Sequence, residues 1–136
     1  MKMQTMIGVG LGVLAVHIVL SELRKKEPAI YYLEKLPGNY NGMTIPPVGI
    51  IIKADQAGNT ELHDHEIVHW RQFQRMGLFP YYFNYMKGYL QQGYDKHPME
   101  REARISESSY CRENYTECVR SGTAKTVFNP NFRKLI

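Results

Sequence analysis

The most apolar part of the chain lies at its N terminus. Residues 6–20 carry no charged side chain, and His17 is their one polar member. Extended to residues 3–23, the stretch reaches the roughly 20 residues that a membrane-spanning helix needs. We therefore expect residues 1–26 to form an uncleaved, single-pass membrane anchor. A secretory signal peptide is an alternative, although no A-x-A-like cleavage site follows the stretch, and a packed core helix is another.

A short strand is predicted for residues 48–53, Val-Gly-Ile-Ile-Ile-Lys. The run is rich in β-branched residues and lies between Pro46-Pro47 and residues 55–59, which include Asp55, Gly58 and Asn59. Its continuous apolar character indicates that both of its faces are covered.

Three helices are predicted to follow the strand. The first should start near Thr60, a possible N-cap, and end at Gly77, which suits the position after a helix. The second covers about residues 81–92, and the third begins at His97-Pro98, because proline is favoured in the first helical position. The predicted fold is α+β and mostly helical, with a small sheet.

Apolar side chains recur at helical spacing in the second and third helices. In the second, these residues predict a core-packing face, which consists of Tyr81, Phe83, Tyr85, Met86, Tyr89 and Leu90. In the third, the predicted buried stripe consists of Met99, Ala103, Ser106 and Tyr110.

Length and charge narrow the possible functions. The 136 residues suffice for one domain, which we place at residues 27–136, behind the N-terminal helix. The net charge is +4, and the longest basic block is Arg24-Lys25-Lys26, which argues against a specific nucleic-acid surface. Lys2 precedes the apolar stretch and the basic block follows it, so the side of the membrane stays open. Cys111 and Cys118 lack C-x-x-C spacing, and they either form a disulfide or are both free.

The predicted helix at residues 60–77 carries the motif His65-Glu66-x-x-His69. Residues four apart share one face of a helix, so the two histidines can hold one metal ion together. Both lie on the face that also carries the apolar residues. Glu66 lies beside them and can accept a proton from a water molecule activated by the ion. The motif therefore predicts metal-assisted hydrolysis, most simply of a peptide bond.

A second motif lies about 30 residues further on, in the run His-Pro-Met-Glu-Arg-Glu-Ala-Arg at residues 97–104. With it, the chain resembles the gluzincin-type zinc metallopeptidases, in which H-E-x-x-H is completed by a glutamate on a later helix. The resemblance implies a zincin-like fold and a peptide or protein substrate. It also implies Zn²⁺ held by His65, His69 and Glu100, with Glu66 as general base, and an edge strand near residues 50–53 that aligns the substrate by β-augmentation.

Several assignments stay open. Helical geometry places Glu100 and Glu102 at similar angles to the buried stripe, and the resemblance favours Glu100. His97 is a further candidate ligand, or else an N-cap or a solvent-facing residue. Arg104 stands where the family often has an aspartate that supports a ligand histidine, and Asp64, Glu61 or a backbone carbonyl can take that role instead.

Two further questions concern the reaction itself. Tyr94 is the candidate for stabilising the oxyanion, with Tyr110 as a second choice. The alternative function is a non-catalytic metal-binding or structural, membrane-associated protein on the same scaffold. The sequence does not predict the oligomeric state.

Overall fold

The structure is a computed structural model, and it describes residues 3–107, 109 and 113. Within these residues it is α+β, as predicted, with four α-helices and one three-stranded sheet. The elements in chain order are α1 (Met3–Lys25), β1 (Ile30–Leu33), β2 (Gly42–Ile45), β3 (Gly49–Lys53), α2 (Thr60–Met76), α3 (Leu78–Gln92) and α4 (Pro98–Arg104). The predictions for Tyr110, Cys111 and Cys118 concern positions outside the described residues.

The sheet has the order β1-β3-β2, with β1 parallel and β2 antiparallel to β3. The predicted strand corresponds to β3, and its Ile50 and Ile52 are fully buried in the core. The prediction that this segment is an edge strand is wrong, because β3 is hydrogen-bonded on both sides. The edge strands are β1 and β2, and β2 packs against α2.

Helix α2 begins and ends close to the predicted positions. Asn59 is the N-cap, one residue before the predicted Thr60, and its side chain accepts a hydrogen bond from the Leu62 amide at 3.1 Å. Gly77 follows the last turn with a φ of +89°, which a residue with a side chain rarely adopts. Arg24 at the end of α1 donates to the Gln74 and Arg75 carbonyls, and this joins α1 to the end of α2.

Helix α3 starts at Leu78, three residues earlier than predicted. Pro80 lies in its first turn, where a helix needs no backbone donor. The predicted core face is right for Tyr81, which is buried, but wrong for Phe83 and Leu90, whose exposures are 68% and 76%. Met86 and Tyr89 are also exposed. The core consists mainly of Ile50, Ile52, Trp70, Phe73, Tyr81 and Met99.

Helix α4 starts at Pro98, with His97 as its N-cap. Met99 and Ala103 are buried as predicted, whereas Ser106 is half-buried. The helix therefore turns one side toward α2, with which it shares more contacts than with α3.

Helix α1 covers the apolar N-terminal stretch. Among the residues that the structure describes, no helix is both long enough and apolar enough to cross a membrane, so the predicted spanning anchor is not found. The side chains from residue 8 to residue 19 are exposed, so the alternative of a packed core helix is wrong for this part.

Candidate metal centre

Three buried side chains from two helices converge on one point. His65 and His69 lie one turn apart on α2, and Glu100 comes from the first turn of α4. The two Nε2 atoms are 3.2 Å apart, and the Glu100 oxygens lie 3.2 Å from the His65 Nε2 and 3.4 Å from the His69 Nε2. A tetrahedral ion with bonds of about 2.0–2.1 Å separates neighbouring ligand atoms by about 3.3–3.4 Å. The two Nε2 atoms and the two Glu100 oxygens, one facing each ring, thus lie at distances close to those between neighbouring ligands of one metal ion.

The hydrogen bonds of His69 leave its Nε2 free to bind a cation. Its Nδ1 lies 2.9 Å from the Gln72 side-chain oxygen. The orientation of this amide is determined, because its nitrogen donates to the Met99 carbonyl and to Glu102, each at 2.9 Å. The oxygen must therefore accept from the His69 Nδ1–H, so Nε2 is the ring nitrogen that can bind a metal ion.

His65 is oriented in the same way by a carboxylate. Its Nδ1 lies 2.6 Å from Glu107, and its Nε2 faces Glu100. Burial opposes a charge on this ring, but the hydrogen bonds to Glu100 and Glu107 outweigh that effect and raise the pKa of His65 to about 9. The arrangement thus attracts positive charge to the point where the three side chains meet. A metal ion fits this set of donors.

Glu100, rather than Glu102, faces the histidines. One Glu100 oxygen also accepts a hydrogen bond from the Tyr85 hydroxyl at 2.7 Å. Burial raises the pKa of Glu100, but the two histidines and the Tyr85 hydroxyl beside it outweigh this and hold the pKa well below its usual range. Glu102 lies on the other side of α4 and pairs with Arg75 at 3.0 Å.

The remaining candidates have other partners. His97 is buried as the N-cap of α4, so the solvent-facing alternative is wrong. Arg104 donates to the Tyr94 and Asp95 carbonyls and contacts no ligand histidine.

The residues that bind the Nδ1 atoms of the two histidines, and so orient the rings, are ones that the sequence did not suggest. Glu107 supports His65 and Gln72 supports His69. The three substitutes that we predicted, Asp64, Glu61 and a backbone carbonyl, are therefore wrong. Asp64 is exposed, and the Glu61 carboxylate binds Ser109.

Glu66 lies next to this cluster and is held by β2. The Thr44 hydroxyl lies 2.6 Å from one Glu66 oxygen and donates to it. Gly42 allows the close approach, since a Cβ there would lie 2.9 Å from the other oxygen. Burial is the main cause that raises the pKa of Glu66.

The cluster opens into a cavity of about 230 Å³. Its lining includes Met43 and Thr44 of β2 as well as five tyrosines, Tyr40, Tyr81, Tyr82, Tyr85 and Tyr94. Tyr94, the predicted candidate, lines the cavity, and burial raises its pKa to about 12. Tyr85, predicted from its spacing to face the core, packs against the core and also donates a hydrogen bond to Glu100 at 2.7 Å.

Comparisons of the chain with known protein families, with curated proteins and with solved structures found no match. His65, His69 and Glu100 lie close enough together to bind one metal ion.

Proposed function

We propose that this chain is a zinc-dependent peptidase with a zincin-like arrangement, in which His65, His69 and Glu100 hold Zn²⁺ and Glu66 is the general base. The observation that carries the proposal is the convergence of His65, His69 and Glu100 on one point, beside a second buried carboxylate, Glu66, that lines the cavity. Two imidazoles and one carboxylate form a set of three protein ligands, which is the usual number at catalytic zinc sites.

Bound Zn²⁺ would lower the pKa of water towards about 7 and polarise a carbonyl group. The rest of the chemistry falls to the side chains. Glu66 accepts the proton of the attacking water and later delivers it to the leaving amine. Its burial favours this role, because a desolvated carboxylate with a raised pKa is a stronger base. The Thr44 hydroxyl holds one of its oxygens in place.

A peptide substrate is favoured by the position of β2. Among the residues that the structure describes, this strand pairs with β3 on one side only, and its Met43 and Thr44 line the cavity. An extended peptide can therefore add to the free side of β2 by main-chain hydrogen bonds and pass the metal centre. Tyr94 lines the same cavity, and with a pKa of about 12 its hydroxyl stays protonated at neutral pH and can donate to the oxyanion.

The alternative, a non-catalytic metal-binding scaffold, is suggested by Arg104 in place of a supporting aspartate and by the compact size of the chain. Glu107 and Gln72 now provide support to the two histidines, which favours the enzyme. A zinc-loaded protein can nevertheless lack turnover, so the experiment has to measure zinc and hydrolysis separately.

The test compares Glu66→Gln with a matched control, Asp64→Asn, an exposed acid on the same helix. Zinc content is measured by elemental analysis, and hydrolysis is measured on a mixed library of quenched fluorescent peptides. We expect wild type and Asp64→Asn to bind one zinc and cleave peptides. We expect Glu66→Gln to keep the zinc and lose about 100-fold or more in rate, which is the usual contribution of a general base. A zinc-loaded wild type that cleaves no peptide, or a fully active Glu66→Gln, would contradict the proposal.

A further inference from the structure

His97 is a fully buried polar residue that the proposed reaction does not use. Its Nδ1 accepts a hydrogen bond from the Met99 amide at 3.1 Å, which caps the start of α4. Its Nε2 must then carry the proton, and it donates to the Tyr85 carbonyl of α3 at 2.7 Å. One neutral ring therefore joins the first turn of α4 to the backbone of α3.

Both hydrogen bonds of the His97 ring affect the position of Glu100, the candidate metal ligand. Glu100 lies three residues after His97, in the turn that the ring caps. Tyr85, whose backbone the ring holds, donates its own hydroxyl to a Glu100 oxygen at 2.7 Å. The Tyr85 and His97 rings are also in contact, with centroids 4.6 Å apart. The position of the Glu100 carboxylate is thus determined from two directions by contacts that pass through His97.

Gly88 makes room for the ring. It is buried in the middle of α3, and a Cβ there would lie 2.7 Å from two atoms of the His97 imidazole. Glycine is less favourable than alanine inside a helix. The close approach of the ring gives a physical reason for this residue in α3.

We propose that His97, seated on Gly88, is a positioning residue that sets the Glu100 carboxylate against the two ligand histidines and so increases metal affinity. The inference rests on the metal site of the proposed function. It adds to that site a residue, His97, that lies behind the groups that touch the ion or its ligands.

The first test is His97→Asn, because asparagine is a good N-cap but its side chain is too short to reach the Tyr85 carbonyl. The second is Gly88→Ala, whose methyl group displaces the ring. Gly10→Ala is the control, since Gly10 is also helical but has open space around it. Three quantities are measured: the Kd for Zn²⁺ by competition with a chromophoric chelator, the visible absorption spectrum of the Co²⁺-loaded protein, and urea unfolding of the metal-free protein.

We expect His97→Asn and Gly88→Ala to raise the Kd for zinc by about 10–100-fold, as changes around metal ligands usually do. The Co²⁺ spectrum should shift in both, because the carboxylate moves relative to the imidazoles. Gly10→Ala should leave the Kd and the spectrum unchanged. If His97→Asn does not fold, the decision rests on Gly88→Ala.

A folded variant that keeps the wild-type Kd and Co²⁺ spectrum overturns the inference, even if its urea midpoint falls, because the ring would then serve folding alone. That result leaves the proposed function intact. A wild-type protein that binds no zinc overturns the proposed function, and the inference falls with it.

Discussion

Replacing Gln72 with leucine tests whether the buried amide orients the metal-binding imidazole. The side chain is fully buried, and its amide group serves three partners at 2.9 Å each. It accepts from the His69 Nδ1–H and donates to the Met99 carbonyl and to Glu102. Leucine has a similar size but no polar atom, so the substitution removes these hydrogen bonds without opening a large cavity.

The expected loss of stability can be worked out from the partners that remain. Glu102 keeps its ion pair with Arg75, but the His69 N–H and the Met99 carbonyl lose their partner in a site that water does not reach. A buried polar group without a partner costs about 1–3 kcal/mol, so the two together lower the free energy of unfolding by about 2–6 kcal/mol. The Kd for zinc should rise by about 10–100-fold, because the imidazole is no longer held in one tautomer and orientation.

Urea unfolding of the metal-free protein can be followed by the fluorescence of Trp70, the only tryptophan of the chain, which lies in the core. The matched control is Gln91→Leu on the exposed side of α3, which should change the free energy of unfolding by at most about 0.5 kcal/mol. A loss below about 1 kcal/mol for Gln72→Leu, with an unchanged Kd for zinc, would refute the reasoning.

Three further predictions separate the roles of neighbouring residues. Glu100→Gln should abolish stoichiometric zinc binding whereas Glu102→Gln keeps it, and elemental analysis after gel filtration would contradict this if both variants retained the metal. Glu107→Gln should raise the Kd for zinc by about 10-fold in a chelator competition, and an unchanged Kd would show that its hydrogen bond to the imidazole is dispensable. Gly42→Ala places a methyl group 2.9 Å from a Glu66 oxygen, so we expect zinc to stay bound while the peptide-cleavage rate falls by about 10–100-fold; a wild-type rate would contradict this.

The features that the sequence predicted well depend on local spacing. The H-E-x-x-H motif gives two imidazoles on one side of a helix wherever that helix lies, and the end of α2 follows from Gly77. The α+β class follows from one strand and three helices. The strands β1 and β2 were missed, because each has only four residues and forms by pairing with β3.

The choice between Glu100 and Glu102 shows where local spacing stops being informative. Both residues flank the buried stripe of α4, so periodicity alone treats them alike. The structure separates them through contacts with α2, where Arg75 and Gln72 bind Glu102. These partners lie 27 and 30 residues away in sequence, and only the packing of the two helices brings them together.

Three carboxylates surround the candidate centre, and their partners give each of them a different role. Glu100 faces the Nε2 atoms of His65 and His69, where a metal would lie. Glu107 faces the Nδ1 atom on the far side of the His65 ring. Glu66 accepts a hydrogen bond from the Thr44 hydroxyl of β2. Two of these residues lie in motifs that mark them as candidates in the sequence. Glu107 follows α4 without any pattern, although its hydrogen bond of 2.6 Å to His65 is one of the shortest in the site. Because its role comes from its partner and not from its sequence context, only the folded arrangement could identify it.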